Sequence, residues 1–284
     1  MINYINWYPG HMKKTKELIK DNLKAVDLAI EIVDSRIPLS SRNPIIDDLV
    51  GKKQRVIILG KPDLSDIFET EKWEIYFKNK ADYVVCVDSK SGHGIKKFFS
   101  ILEKIQKERN TERKIKKPLR MMIVGVPNVG KSSFINRLTG KKSTKTGDKP
   151  GVTKGKQWIT LKNGMQLLDT PGILWPKFEN QKVGLNLAFC GSIKDEILDT
   201  QDLAFELIKV LEKKYPENLK NRYKLDVISE NTLENMEAIA KKRGFILSGK
   251  RFDYERTGRT VLDEFRAGLL GNITLETVGD KVYD

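Results

Sequence analysis

Eight consecutive residues, Gly125-Val126-Pro127-Asn128-Val129-Gly130-Lys131-Ser132, constrain this chain more than any other feature. They fit the pattern G-x-x-x-x-G-K-[ST], and their surroundings give the pattern a physical meaning. The apolar run Met121-Met122-Ile123-Val124 precedes them and the amphipathic stretch Ser133 to Leu138 follows. A strand, a glycine-rich loop and a helix N-terminus in that order form a cradle for phosphate. Glycines let backbone N–H groups turn inward, and the helix N-terminus adds partial positive charge. Lys131 is expected to reach the β- and γ-phosphates of a nucleotide and to assist their chemistry. Ser132 is expected to ligate Mg2+, and Asn128, Val129, Gly130 and Ser133 to line the phosphates.

Other short apolar runs lie at Leu28 to Val33, Val56 to Leu59, Tyr83 to Val87 and Met165 to Leu168. Helical patterns fall between several of them; Phe98, Phe99, Leu102 and Ile105 make one stripe within 95–108. His11 to Val26 reads as a helix with Ile19, Leu23 and Val26 on one face and Lys16, Lys20 and Lys24 on another. Strands alternating with helices predict an α/β fold with a mostly parallel sheet covered on both faces. After Trp175-Pro176 the strand signal fades. Three helical stripes follow: Leu203, Leu207, Val210 and Leu211, stopping at Tyr215-Pro216; Leu233, Met236, Ile239 and Ala240, ending near Gly244; Val261, Leu262, Phe265 and Leu269, ending at Gly271. The expected division is an α/β domain over 1–177 and a small all-α domain over 178–284. A chain of 284 residues, 39% hydrophobic, has enough apolar material for both.

Downstream of the loop, Gln166-Leu167-Leu168 leads into Asp169-Thr170-Pro171-Gly172. A carboxylate at the end of a buried strand is well placed to hold Mg2+, and the Gly172 N–H to contact a terminal phosphate. Between the two motifs, Thr153 in a glycine- and proline-rich loop is the candidate for a second Mg2+ hydroxyl. Reading guanine requires a carboxylate that accepts from the base's N1–H and exocyclic amine. Gly60-Lys61-Pro62-Asp63, at the end of a strand, supplies Asp63, with the Lys61 stem over the base. The loop Asp88-Ser89-Lys90-Ser91-Gly92 also follows a strand and places Ser89 near the base. These base-reading segments precede the phosphate loop, whereas in most P-loop GTPases they follow it. Sites at strand C-terminal ends tolerate such a rearrangement.

No run approaches the ~20 apolar residues needed to span a bilayer, and Met1 to Met12 lacks the order of a signal peptide. Cys86 and Cys190 stand alone, which predicts buried free thiols in a reducing cytoplasm, with no metal site and no disulfide. The net charge of +14 is spread along the chain and favours a polyanionic partner, with nucleic acid first.

These residues resemble the circularly permuted GTPases, and most closely the bacterial ribosome biogenesis GTPase A (YlqF) subfamily. The resemblance runs through Trp7-Tyr8-Pro9-Gly10-His11-Met12, Asp34-Ser35-Arg36-Ile37-Pro38-Leu39-Ser40-Ser41-Arg42-Asn43-Pro44, the phosphate loop, Pro150-Gly151-Val152-Thr153 and Leu168-Asp169-Thr170-Pro171-Gly172-Ile173-Leu174-Trp175-Pro176. It implies a GTPase that binds GTP and GDP with Mg2+ and acts late in assembly of the large (50S) ribosomal subunit, with the C-terminal domain on ribosomal RNA. It further implies His11 as a catalytic residue, because residue 173 is Ile where many GTPases carry a water-orienting Gln. K+ bound with help from Asn128 is implied as well. Candidate RNA contacts are Lys13, Lys16, Lys20, Lys250, Arg251, Arg256, Arg259 and Arg266. The chain is expected to be a cytoplasmic monomer with no membrane partner. Two departures from the family pattern stand out: Gly60 replaces the usual Asn, and Asp88-Ser89-Lys90 replaces Ser-Ala-Lys. Both are expected to weaken nucleotide affinity more than base choice, since Asp63 remains. The alternative function is a nucleotide-dependent switch with a protein partner and incidental hydrolysis.

Overall fold

The computed structural model describes residues 17, 19–51, 53–111, 117–140, 157–172, 174, 178 and 180–280. Its centre is a six-stranded sheet in the order β3-β2-β1-β4-β6-β5. The strands are β1 (Leu28–Asp34), β2 (Gln54–Gly60), β3 (Tyr83–Val87), β4 (Arg120–Val124), β5 (Gln157–Thr160) and β6 (Gln166–Asp169). All neighbours run parallel except β5, which pairs antiparallel with β6. The apolar runs mark the parallel strands because both their faces are covered; every residue of β1 is buried. β5 is absent from the sequence-based expectation. It is a short edge strand whose Ile159 is buried while Trp158 is exposed, so it has no continuous apolar run.

The chain order reverses between β1 and β4. From β1 it steps outward through β2 to β3, and from β4 it steps the other way to β6 and β5. Ligands in open α/β sheets bind at the strand C-termini at such a switch point. Among the described residues, the helices α1 (Pro44–Val50), α2 (Ile67–Lys78), α3 (Ile95–Thr111) and α4 (Lys131–Thr139) lie between or after the strands of the sheet. The Asn43 side chain caps α1, whose first residue is Pro44, and the Asp66 side chain caps α2. Neither helix was legible as a stripe. α2 buries Trp73 and Phe77 but leaves Ile67, Phe68 and Ile75 exposed, so apolar residues surround its axis. Phe98 of α3 meets Phe134 of α4 edge-on at 5.2 Å.

The helical remainder comprises α5 (Gln181–Phe189), α6 (Thr200–Lys214), α7 (Pro216–Tyr223), α8 (Thr232–Arg243) and α9 (Tyr254–Arg266). Side chains of Asn180, Asp199, Asn231 and Asp253 cap α5, α6, α8 and α9. Left-handed Gly244 closes α8. Two sequence-based boundaries shift, and one stripe residue faces outward. α9 stops at Arg266, because Gly268 takes φ 77° just beyond its end; Leu269 lies off the helix and is half-exposed. Leu233 faces solvent in the first turn of α8. Near the N-terminus residues 19–23 are helical, and Val26 is buried beyond them on the way into β1.

The segment 273–276 returns to the sheet domain. Ile273 N–H donates to the Leu64 carbonyl and Leu275 N–H to the Arg36 carbonyl. The buried Glu276 carboxylate accepts from Leu39 N–H, Ser40 N–H, the Ser40 hydroxyl and the Asn186 amide. Burial pushes this carboxyl above its usual range against those donors. Cys190 is a buried free thiol, as expected, whereas Cys86 is only half-buried; burial pushes them up to about 12 and about 11. No described helix is long and apolar enough to cross a membrane.

Candidate functional site

The site lies at the C-terminal ends of β1, β2, β3, β4 and β6. β4 delivers the chain into the loop 125–130, and Lys131 begins α4. The Lys131 side chain is buried and folds over the loop, donating to the Gly125 carbonyl at 3.0 Å and the Val126 carbonyl at 2.8 Å. Two of its three donors are thereby engaged, and the ammonium is fixed inside the cradle. Burial lowers its pKa to about 8, against the opposing charge of Asp169. Val129 is buried under the loop, Ser132 is half-buried and Ser133 is exposed on the first turn of α4.

Asp169 ends β6, adjacent to β4. Its side chain is buried and Oδ1 has no hydrogen-bond partner among the described residues. Burial raises its pKa, with Lys131 opposing. A buried carboxylate oxygen left bare is costly in a protein interior, and beside the cradle it suits a divalent cation. Thr170 donates to the Ile123 carbonyl and holds the strand ends together. Gly172 then packs on the phosphate loop. A Cβ there would stand 2.7 Å from Pro127 N and 2.8 Å from Lys131 Nζ, so only glycine permits the approach.

The base-reading residues come from β2 and β3. Lys61 adopts the left-handed conformation at φ 56°. Its ammonium sits 3.0 Å from Asp34 Oδ2 and donates to the Asn128 carbonyl, tying the base loop to the phosphate loop. Asp63 lies in the short 3-10 turn Pro62–Leu64, and Lys90 bonds its Oδ2 at 2.7 Å. Asp88 accepts from Lys90 N–H and Ser91 N–H, which shapes the turn carrying half-buried Ser89. Arg137 of α4 donates to the Ser91 carbonyl and brings this loop to the phosphate helix. At Gly60 a Cβ would meet Ile32 Cγ2 and the Val33 and Val129 carbonyl oxygens at 3.3 Å. The strand end is therefore tightly packed, and Lys61 makes the link to the phosphate loop.

The structure thus gathers Lys61, Asp63, Ser89, Asn128, Val129, Gly130, Lys131, Ser132, Ser133, Asp169 and Gly172 at one end of the sheet. His11 and Thr153 lie outside the described residues, as does Ile173. The sequence singles out Asp34 and Arg36 only as part of the family resemblance and assigns them no role. Both are buried, and Arg36 holds Asp34 with two side-chain bonds of 2.9 and 2.8 Å. A charged residue at the C-terminal end of the apolar run 28–33 was the available signal. Sequence reasoning missed Gly191 and Ser192, whose approach to the loop is tertiary and leaves no local trace.

Residues 120–242 match the family described as 50S ribosome-binding GTPase. The chain is 46% identical to ribosome biogenesis GTPase A of Bacillus cereus over 287 positions, which cover 99% of this chain and 97% of that protein. GDP-bound TM YlqF matches it with a TM-score of 0.71 at 28% identity, covering 93% of this chain and 100% of that one. GNP-bound YlqF from T. maritima matches with a TM-score of 0.67 at 30% identity, covering 93% and 98%. With a P-loop sheet, a permuted motif order and similarity along nearly its whole length, this chain belongs to the ribosome biogenesis GTPase A family and is a GTPase.

Proposed function

We propose that the protein binds GTP in the cradle of residues 125–133 and reads guanine with Asp63, flanked by Lys61 and Ser89. It acts on the large ribosomal subunit in the cytoplasm. The buried Asp169 carboxylate, whose Oδ1 has no hydrogen-bond partner among the described residues, and the buried Lys131 ammonium support the nucleotide site. Ser132, Asp169 and Thr153 would hold Mg2+, which when bound neutralises charge on the β- and γ-phosphates. Asn128 is the candidate K+ ligand; its Nδ2 donates to the Gly191 carbonyl. Hydrolysis breaks the bond from the γ-phosphorus to the β–γ bridging oxygen as water adds, giving GDP and phosphate. Ile173 has no group to orient that water, and His11 is the candidate for the task.

We place the division of the chain near residue 178 and the RNA-contacting face on the helical part. The observation that carries this reading is a band of exposed cations. Lys241 and Lys242 lie in the last turn of α8, Lys250 and Arg251 lie between the bridged residues Ile246 and Phe252, and Arg256 stacks on Phe245 at 4.3 Å. Arg259 is exposed on α9, and Lys20 is exposed near the N-terminus. Arg266 leaves the candidate list. It bonds both Asp195 oxygens and the Phe189 and Ala188 carbonyls, so its charge is committed within the protein.

Binding to large-subunit RNA, titrated across KCl concentrations, tests the reading. The affinity is expected to fall steeply with salt. Lys250→Ala/Arg251→Ala is expected to weaken binding and reduce the salt slope by about two. Affinity independent of salt, or a double variant that binds as the wild type does, would contradict RNA contact here and favour a protein partner.

A further inference from the structure

The helical part reaches into the phosphate loop itself. After α5 the chain turns through Cys190, Gly191 and Ser192, and this turn lies on Pro127 and Asn128. Ser192 Oγ donates to the Pro127 carbonyl at 2.8 Å, and Asn128 Nδ2 donates to the Gly191 carbonyl at 2.6 Å. Ser192 is buried at this contact. The turn is anchored from behind by α9. Arg266 donates to the Ala188 and Phe189 carbonyls at 2.9 and 3.0 Å while Asp195 pins its guanidinium.

A second path from α9 ends at the same residue. The Arg36 guanidinium lies 5.3 Å from the Phe265 ring centre and grips Asp34. Asp34 faces Lys61, and Lys61 donates to the Asn128 carbonyl. Asn128 is thus held at its side chain and at its backbone. It stands at φ 59°, in the left-handed region that asparagine tolerates better than most residues with a side chain. The two bonds select that conformation from the others open to the residue. The conformation at residue 128 sets the direction of the N–H groups that follow it in the cradle.

We propose that Gly191 and Ser192 are positioning residues of the nucleotide site. Their bonds to Pro127 and Asn128 fix the backbone of the phosphate loop, so nucleotide retention depends on how the helical part is docked. The proposal rests on the reading of residues 125–132 as the phosphate cradle. Because coupling between sites is reciprocal, a partner that shifts the helical part changes nucleotide affinity, and nucleotide changes the partner's affinity by the same factor.

The test is the release rate of a fluorescent GDP analogue, chased with excess GDP, from the full chain. Ser192→Ala removes one hydrogen bond of ordinary strength and is expected to speed release about three- to tenfold. Ile239→Val trims the buried face of α8 away from the turn and serves as the stability control. It is expected to lower the thermal midpoint and leave release unchanged. Arg266→Lys, which loses the paired hold on the turn, is expected to speed release and stands in if Ser192→Ala does not fold. Wild-type release from both Ser192→Ala and Arg266→Lys would overturn the proposal, as would an equal acceleration in Ile239→Val. Lys131→Ala separates the two readings. If it abolishes binding while Ser192→Ala and Arg266→Lys release GDP normally, the cradle stands and only this inference falls. If it retains GDP as the wild type does, the cradle reading itself fails.

Discussion

At the scale of single residues, Asp34 decides more than its size suggests. It lies at the end of β1, buried, with Arg36 on one side and Lys61 on the other. Burial alone would push its carboxyl up. The guanidinium and the ammonium more than offset this and hold it well below the usual carboxylate range. A carboxyl held low in the folded state contributes stability above its unfolded value of about 3.8 and loses that contribution as pH falls below it. Asp34→Asn leaves the buried Arg36 guanidinium and the half-buried Lys61 ammonium short of a counter-charge and is expected to cost about 3–5 kcal/mol at pH 7. Denaturant unfolding at pH 7 and at pH 3 checks this. The gap between wild type and variant should narrow at the lower pH, and an undiminished gap would mean the charge is not what matters. The phosphate loop was legible at this scale because its pattern is local. Asp34 was not given a role, because its importance comes from Lys61 and Arg36 meeting around it, and spacing does not reveal that.

At the scale of elements, packing overrides propensity in α9. Gly258 sits in the helix interior, where replacing Gly by Ala ordinarily gains about 1 kcal/mol. Here a Cβ would stand 2.8 Å from the Thr200 carbonyl oxygen and 3.2 Å from Ala204 Cβ, both on α6. Gly258→Ala is therefore expected to destabilise by about 1–3 kcal/mol, the range for overpacked contacts. Thermal or denaturant unfolding gives the sign, and a gain in stability would show that α6 and α9 can move apart freely. The same logic explains which elements the sequence made visible. Parallel strands buried on both faces announce themselves as apolar runs, and α6 shows a clean stripe of Leu203, Leu207 and Leu211. The edge strand β5 and the helix α2, apolar on more than one side, carry no such period. The end of α9 was read too late because Leu269 continues the apolar spacing past Gly268, whose left-handed turn breaks the helix.

At the scale of the whole molecule, the permuted order ties the nucleotide site to the helical part by several routes. In sequence α5 is the next element after β6, the turn at Gly191 rests on the phosphate loop, and the Glu276 segment returns to clasp the loop after β1. A change at the terminal phosphate therefore has direct mechanical connections to the exposed cations of the helical part. The net charge of +14 favours a polyanionic partner, and the family points to the ribosome. The central claim is a GTPase whose turnover is controlled by that partner. Its most direct test is GTP hydrolysis in KCl buffer, with and without purified large ribosomal subunits, for the wild type and His11→Ala. We expect slow turnover alone, stimulation by roughly tenfold or more on the subunit, and loss of that stimulation in His11→Ala with GTP binding intact. Wild-type turnover that the subunit leaves unchanged, with GTP binding confirmed, would contradict the account.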